Sequence, residues 1–143
     1  AAPGGLCPRH RPAEDSAEYM TGPARSAAYR RGHFAESLCA LYLRLTGWRI
    51  LERRHKGGRG TGAGEIDMIA RRGSILAFIE VKARTDLITA IESVTPAQRG
   101  RIIRAAEAYL QHRPQLAAYD IRFDVMALGR GIWPRHIRDA WRP

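Results

Sequence analysis

The chain has 143 residues, of which 45% are hydrophobic, and its 24 basic and 14 acidic residues give a formal net charge of +10. This length predicts one domain with a sizeable core, and no apolar run approaches the roughly 20 residues that a bilayer requires, which argues against a membrane-spanning protein. The charge favours nucleic acid as a partner over an anionic membrane surface, with a merely solvated basic surface as the common alternative.

The first 27 residues are rich in Pro, Ala, Gly and charge and contain no secretory signal, so we predict a disordered tail followed by one domain over 28–143. The two cysteines, Cys7 and Cys39, lack the spacing of a disulfide framework, which favours the reducing cytoplasm. The five histidines show no paired ligand spacing, which argues against a zinc site.

Helical spacing of apolar residues predicts a first helix over 29–46, ended by Gly47. Residues 48–53 alternate weakly and indicate a short strand, and a Gly-rich basic loop runs from there to Gly64. This loop is expected to be mobile. Two strands, 65–70 and 75–83, flank a turn in which Gly73 suits the first central position of a type II′ hairpin.

A second helix is predicted to open at Thr95, with Thr95 as its N-cap, Pro96 at the first helical position and Gln98 closing a capping box. A further strand follows over 120–128, and a terminal segment without assigned structure ends at Trp141. The element order α-β-β-β-α-β predicts an α/β fold in which a right-handed crossover places the last strand parallel to its neighbour. We expect a mixed sheet covered by helices.

The hairpin register brings acidic residues together. With Gly73 and Ser74 as the loop, Asp67 is predicted to lie opposite Glu80, and Glu65 opposite Lys82. Period-2 alternation places these four on one face with Ile69 and Phe78, and places the following residues on the other, wholly apolar face: Ile66, Met68, Ala70, Ala77, Ile79 and Val81.

Two opposed carboxylates lie about 5 Å apart and repel by roughly 3 kcal/mol at an effective dielectric near 20, so a compensating charge is expected. Asp67 and Glu80 offer the one or two carboxylates with which proteins bind Mg²⁺. Lys82 could hold an attacking water or a phosphate oxygen, which would suit hydrolysis of a phosphodiester. The alternative is that Glu65, Glu80 and Lys82 form salt bridges on a solvated strand.

Lysine is rare in this chain, because 22 of the 24 basic residues are Arg and only Lys56 and Lys82 are Lys. Such a bias suggests that Lys is kept where a compact, mobile ammonium matters.

Glu36 shares the face of Ala40 and Leu43 on the first helix, where a carboxylate must be paired or bound to metal. An additional metal ligand and a boundary Glu paired with Arg are equally compatible with its spacing.

Several motifs together resemble the YraN-like family of predicted endonucleases, within the restriction-endonuclease-like superfamily and similar to archaeal Holliday junction resolvases. The motifs are Gly32 and Glu36 at a spacing of four, GEIDMI (64–69), FIEVKAR (78–84), VT (94–95) and RFDV (122–125), and the resemblance covers about 28–141. It implies a restriction-endonuclease-like α-β-β-β-α-β core.

By residue, the resemblance implies Asp67 and Glu80 as metal ligands, Lys82 as the catalytic lysine, Glu36 as an accessory acid and metal ligand, and Mg²⁺ or Mn²⁺ as the cofactor. Gln98 stands where many relatives have Lys. The expected activity is endonuclease cleavage of DNA, with branched or structured DNA as a candidate substrate and a homodimer as a candidate assembly.

The start of the second helix follows the Glu80 strand, and helix N-termini favour phosphate, so Gln98 is a candidate nucleic-acid contact as well as a capping residue. Candidate contacts to the nucleic-acid backbone are Arg53, Arg54, Lys56, Arg84, Arg99 and Arg101. Two alternatives remain open: a nucleic-acid-binding protein that keeps the fold without turnover, and an interaction module whose charge is only solvated surface.

Overall fold

The computed structural model describes residues 23–58 and 60–143 and contains one five-stranded sheet. The strands lie in the order β1-β2-β3-β4-β5; β3 and β4 are parallel and all other neighbours are antiparallel. The elements are α1 (Pro23–Leu45), β1 (Arg49–Lys56), β2 (Glu65–Arg72), β3 (Ile75–Ala83), α2 (Leu87–Glu92), α3 (Pro96–Gln111), a 3₁₀ turn (Pro114–Leu116), β4 (Asp120–Leu128) and β5 (Arg135–Trp141). The predicted mixed α/β core is confirmed.

The end of α1 shows how local sequence sets the entry to the sheet. Gly47 has φ +85, a left-handed conformation that glycine adopts without strain. The amide of Trp48 donates to Leu43 O at 2.9 Å and that of Gly47 to Arg44 O at 3.1 Å, the hydrogen bonds of a Schellman motif. The predicted stop at Gly47 is therefore confirmed, and it turns the chain directly into β1.

Two elements, β5 and α2, were not predicted from the sequence, and the boundaries of β1 and α1 differ from the prediction. β1 runs to Lys56 instead of ending at residue 53, and the terminal segment, for which the sequence predicts no strand, forms β5. A short helix, α2, lies between β3 and α3. Residues 1–22 of the predicted tail lie outside the described residues. Helix α1 begins at Pro23, before the predicted domain boundary at residue 28.

Strand β5 escaped prediction because it is a charged edge strand, RHIRDAW, with little alternation. Asp139, with φ +53, interrupts its pairing with β4, and the register shifts between Phe123 and Val125. The amide of Asp139 donates instead to the buried carboxylate of Asp124 at 2.9 Å. The Asp124 side chain of β4 therefore stabilises the irregular part of β5.

The core has two layers, one on each face of the sheet. On the α3 side, Ile69, Phe78 and Val125 pack with Ile102 and Tyr109. On the α1 side, buried strand residues pack against the helix; this cluster consists of Cys39, Ala40, Leu43, Trp48, Met68, Ala70, Ala77, Ile79 and Met126. No helix in the described part of the chain is long and apolar enough to cross a membrane.

Candidate active site

The candidate site begins where β2 and β3 separate. Their ladder has the predicted register, with Arg72 opposite Ile75, and Gly73 has the positive φ (+57) that the predicted turn requires. The pairing ends, however, at Met68 opposite Ile79. The predicted pairs further along, Asp67 with Glu80 and Glu65 with Lys82, are therefore not part of the ladder, and that expectation was wrong.

Beyond the end of the backbone ladder, the Asp67 side chain makes the next hydrogen bond between β2 and β3. Its Oδ2 accepts a hydrogen bond from the amide of Val81 at 2.7 Å, so the side chain occupies the gap between the strands. Ile66 accordingly joins the α3-side core with Ile69, although strict alternation placed it on the face of Met68. The prediction for Ile66 fails because strict period-2 alternation does not hold between Ile66 and Ile69, which lie in the same core layer.

Glu80, Lys82 and Gln98 form a compact polar group beside Asp67. The Nζ of Lys82 lies 2.9 Å from Glu80 Oε1, and Gln98 Nε2 donates to the same oxygen at 2.6 Å. Lys82 Nζ also donates to Gln98 Oε1 at 3.3 Å. Glu80 is only 6% exposed, so these contacts satisfy a carboxylate that burial would otherwise destabilise. Among the described residues, Glu65 is not the ion-pair partner of Lys82.

Gln98 shows that the capping-box prediction was half right. The Thr95 side chain accepts from the Gln98 amide at 3.2 Å and caps α3 as predicted. The Gln98 side chain does not return the bond to the cap but reaches Glu80 and Lys82. This places α3 in the site through a side chain and not only through its N-terminus.

The electrostatics of Asp67 reflect the crowding of acids. Burial, and then the neighbouring Glu80 carboxylate, raise the pKa of Asp67 well above its ordinary value, against the lowering effect of the Val81 hydrogen bond. A cavity of about 180 Å³ opens at this point, lined by residues that include Asp67, Glu80, Gln98 and Arg101. The cavity therefore presents three acids at its wall: the half-buried Asp67, the buried Glu80 and the exposed Glu65.

Cys39, on α1, lies close to the acids of the site. Burial, and to a smaller extent the charges of Asp67 and Glu36, raise the pKa of its thiol to about 12. The thiol is fully buried and stays protonated at neutral pH. A buried, protonated thiol does not suit a nucleophile or a metal ligand, because both roles need the thiolate.

Glu36 is buried, as predicted, but it is engaged with arginine. Arg54 donates to both of its oxygens, Nε to Oε2 at 2.8 Å and Nη2 to Oε1 at 3.0 Å, and Arg53 lies 4.0 Å away. Such a bidentate pair is the second of the two interpretations that its spacing allowed. Its role as an accessory acid and metal ligand stays a prediction.

Glu36→Gln is expected to lower the free energy of unfolding by about 1–2 kcal/mol, because it removes one charge from a partly buried bidentate pair with Arg54. Urea denaturation followed by circular dichroism measures this loss. Glu107→Gln, at an exposed position of α3, is the matched control and should change stability by less than about 0.5 kcal/mol. Equal stability of Glu36→Gln and wild type would show that the pair contributes nothing to the fold.

The residues predicted to contact nucleic acid differ in their exposure and in their contacts with the rest of the protein. Arg53, Lys56, Arg84 and Arg101 are exposed, and Arg101 reaches the cavity of Asp67. Arg99 is half-buried and bound to the protein itself: its Nε donates to Val94 O at 2.9 Å and its guanidinium lies over Trp141. All four are exposed enough to meet a phosphate, although Arg53 lies 4.0 Å from Glu36 and Arg84 donates to Ala83 O at 2.8 Å. Arg99 and Arg54 are more fully engaged with the protein.

The donor set suits a hard divalent cation. Glu80 uses Oε1 for Lys82 and Gln98, and Asp67 uses Oδ2 for Val81, so each carboxylate keeps one oxygen that accepts no hydrogen bond from the described residues. No group of three or more His, Cys, Asp or Glu residues converges within the described ranges. Two carboxylates with open positions for water and phosphate match Mg²⁺, which binds few protein ligands.

A second buried polar cluster escaped the sequence analysis. Asp124 is fully buried and binds Arg122 through both oxygens at 2.8 and 2.9 Å, and His136 Nε2 lies 2.7 Å from its Oδ2. The sequence predicts RFDV only as a family motif and gives Asp124 no role. The available signal was an acid in a strand whose neighbours, Phe123 and Val125, are both apolar.

The sheet, its flanking helices and the acidic opening between β2 and β3 define an α/β protein with a restriction-endonuclease-like core. The chain belongs to the uncharacterised protein family UPF0102, the YraN family, whose model matches residues 35–128. A UPF0102 protein of Paramagnetospirillum magneticum is 56% identical over 119 residues, 83% of this chain and 92% of the relative.

Two further relatives are similar over comparable lengths. A UPF0102 protein of Parvibaculum lavamentivorans is 50% identical, over 82% of this chain and 85% of its own. One of Bradyrhizobium diazoefficiens is 44% identical, over 85% of this chain and 89% of its own. The matches span most of the length of each relative.

Proposed function

We propose that this protein is a metal-dependent endonuclease that hydrolyses phosphodiester bonds in DNA. The observation that carries the proposal is the shared contact at Glu80: one buried carboxylate oxygen binds Lys82 at 2.9 Å and Gln98 at 2.6 Å, beside a second acid, Asp67, at the opening of the sheet. A structural salt bridge needs only one acid per base, and here two acids border one lysine.

Asp67 and Glu80 would hold the divalent cation, Mg²⁺ or Mn²⁺. When bound, it would supply Lewis-acid chemistry by polarising a phosphoryl oxygen and stabilising charge on the leaving oxygen. Asp67 Oδ1 and Glu80 Oε2, which accept no hydrogen bond from the described residues, would be its ligand atoms.

Lys82 supplies a positive charge at the reacting phosphate. Its ammonium has three donors, and its contacts with Glu80 and Gln98 leave one for a water or a phosphate oxygen. In hydrolysis, the water oxygen forms a bond to phosphorus, the P–O ester bond breaks, and one water proton ends on the departing hydroxyl. Gln98 orients Lys82 and Glu80 relative to each other.

Lys82→Met is expected to reduce the rate of DNA cleavage roughly 100-fold, because it removes a charged donor from the reacting phosphate. Supercoiled, flapped, junction and single-stranded DNA would be incubated with protein and Mg²⁺ or Mn²⁺, beside an EDTA control. Arg72→Ala is the matched control, since Arg72 is exposed and five residues from Asp67 along β2, roughly 17 Å away. A Lys82→Met protein as active as wild type would remove Lys82 from the mechanism.

The basic surface favours a second candidate, a nucleic-acid-binding protein that keeps the fold without turnover. The net charge of +10 and the exposed Arg53, Lys56, Arg84 and Arg101 support binding whether or not the bond is cut. Binding that weakens steeply with salt, without cleavage of any of the four DNA forms, would favour this candidate.

A further inference from the structure

An exposed tryptophan lies in the loop between β4 and β5. Trp133 is 69% exposed and its neighbour Ile132 is 72% exposed. The other two tryptophans, Trp48 and Trp141, are buried at 5% and 6% exposure. One edge of Trp133 is positioned by a T-shaped contact with Tyr42, with ring centroids 5.7 Å apart, so the ring is oriented although most of its surface meets solvent.

Arginines surround this ring. Arg84, Arg130 and Arg135 line a cavity of about 320 Å³ together with Trp133. Within the part of the chain that the structure describes, none of the three forms an ion pair with a carboxylate. Asp86 also lines the cavity, but its oxygens accept hydrogen bonds from the amide and hydroxyl of Thr89 at 2.8 and 2.7 Å. The net charge of the cavity wall is therefore positive.

The position of the cavity links it to the candidate active site. The parallel strands β3 and β4 end side by side, with Ala83 opposite Leu128, and the cavity opens just beyond them. Arg84 follows Lys82 by two residues, about 7 Å along an extended chain. Lys82 contacts Gln98 of α3 and Trp133 contacts Tyr42 of α1, so a nucleic-acid strand bound at Lys82 would reach the cavity by passing around the ends of β3 and β4.

We propose that Trp133 stacks on an unpaired base of the nucleic-acid substrate while Arg84, Arg130 and Arg135 bind the flanking phosphates. The inference rests on the proposed function and names its substrate class: DNA with a single-stranded segment, as in a flap, a gap or a branch. Aromatic rings beside arginines are the usual composition of single-strand binding sites. The bases of an intact duplex are already stacked on each other and offer no free face.

A second copy of the chain fits this surface less well. An isologous dimer through Trp133 would bring the three arginines of one copy against the same three of the other. A bound polyanion would instead neutralise the charges of these arginines. Charge complementarity therefore favours nucleic acid as the occupant.

Tryptophan fluorescence tests the proposal directly, because Trp133 is the exposed tryptophan of the described residues. A single-stranded dT oligonucleotide titrated into the full chain with EDTA should quench the emission, and Trp133→Phe should abolish most of the quenching. Trp133→Ala should weaken binding of the oligonucleotide about 10-fold, as loss of one stacked base does elsewhere. Leu45→Ala, at a position 71% exposed on α1, is the matched control and should bind like wild type.

Three outcomes would overturn the proposal: unchanged affinity of Trp133→Ala, equal quenching by an intact duplex, or a concentration-dependent dimer that Trp133→Ala dissociates without change in DNA affinity. EDTA keeps the measurement independent of catalysis. If wild type cleaves DNA but Trp133→Ala binds normally, the proposed function stands and this inference fails. If the oligonucleotide quenches Trp133 but no DNA is cleaved, the inference stands and the nuclease proposal fails.

Discussion

Asp67→Asn is expected to abolish metal-dependent DNA cleavage, with a loss on the order of 1,000-fold or more, because a candidate ligand of the cation loses its charge. The side-chain oxygen of Asn can still accept the hydrogen bond from Val81 that Asp67 accepts at 2.7 Å. The variant should therefore fold. Initial rates on the best-cleaved DNA, with wild type and variant at equal concentration, give the measurement.

Stability separates this loss of activity from a loss of structure. In wild type, burial and the charge of Glu80 both disfavour ionised Asp67, so without metal the neutral Asn should leave the Tm unchanged or raise it. Asp120→Asn is the matched control, since Asp120 is exposed at the start of β4, at the other end of the sheet. Cleavage by Asp67→Asn at the wild-type rate would contradict the assignment of Asp67 to the active site.

Asp124→Asn is expected to lower the free energy of unfolding by about 3–5 kcal/mol, the usual effect of removing one partner from a buried ion pair. The carboxylate is fully buried and holds Arg122, His136 and the amide of Asp139. Its loss would leave the charge of Arg122 uncompensated and release the irregular part of β5. Urea denaturation followed by circular dichroism measures the change.

Acid pH offers a check on the same cluster. Burial alone would raise the pKa of Asp124, but hydrogen bonds from His136, Arg122 and the amide of Asp139 lower it below its ordinary value. The unfolded chain therefore binds the proton first, so the stabilisation is complete above about pH 4 and is lost as the pH falls further. Asp124→Asn should lack this part of the acid sensitivity.

Asp139→Asn is the matched control for Asp124, because the Asp139 side chain pairs with Arg142 at the surface, where such pairs contribute little. We expect it to change stability by less than about 1 kcal/mol, since Asn also tolerates a positive φ. If Asp124→Asn were no less stable than Asp139→Asn, the buried cluster would have no structural role.

The hairpin shows how much of the site was predictable. The Gly73–Ser74 turn determined the register of β2 against β3, and this register was correct from Arg72 to Met68. It brought Asp67 and Glu80 into one neighbourhood. The turn could not predict that the ladder stops at Met68 and that the Asp67 side chain enters the gap, because strand separation depends on packing outside the hairpin.

Side-chain partners that are distant in the sequence were harder to predict than the positions of the residues. Periodicity correctly marked Glu36 as buried, but the choice of Arg54 as its partner depends on β1 continuing beyond its predicted end at residue 53. Gln98 was predicted as a cap from local sequence, and its contacts with Glu80 and Lys82 arise only when α3 packs on the sheet. Local patterns therefore predicted positions well and side-chain partners poorly.

Binding of the divalent cation itself is the most direct test of the account. Mg²⁺ and Mn²⁺ would be titrated by calorimetry into wild type, Asp67→Asn and Glu80→Gln, with Asp120→Asn as the control. The account predicts saturable binding to wild type and to the control, and its loss in both site variants, because Asp67 and Glu80 supply the free carboxylate oxygens. Identical isotherms for wild type, Asp67→Asn and Glu80→Gln would contradict it.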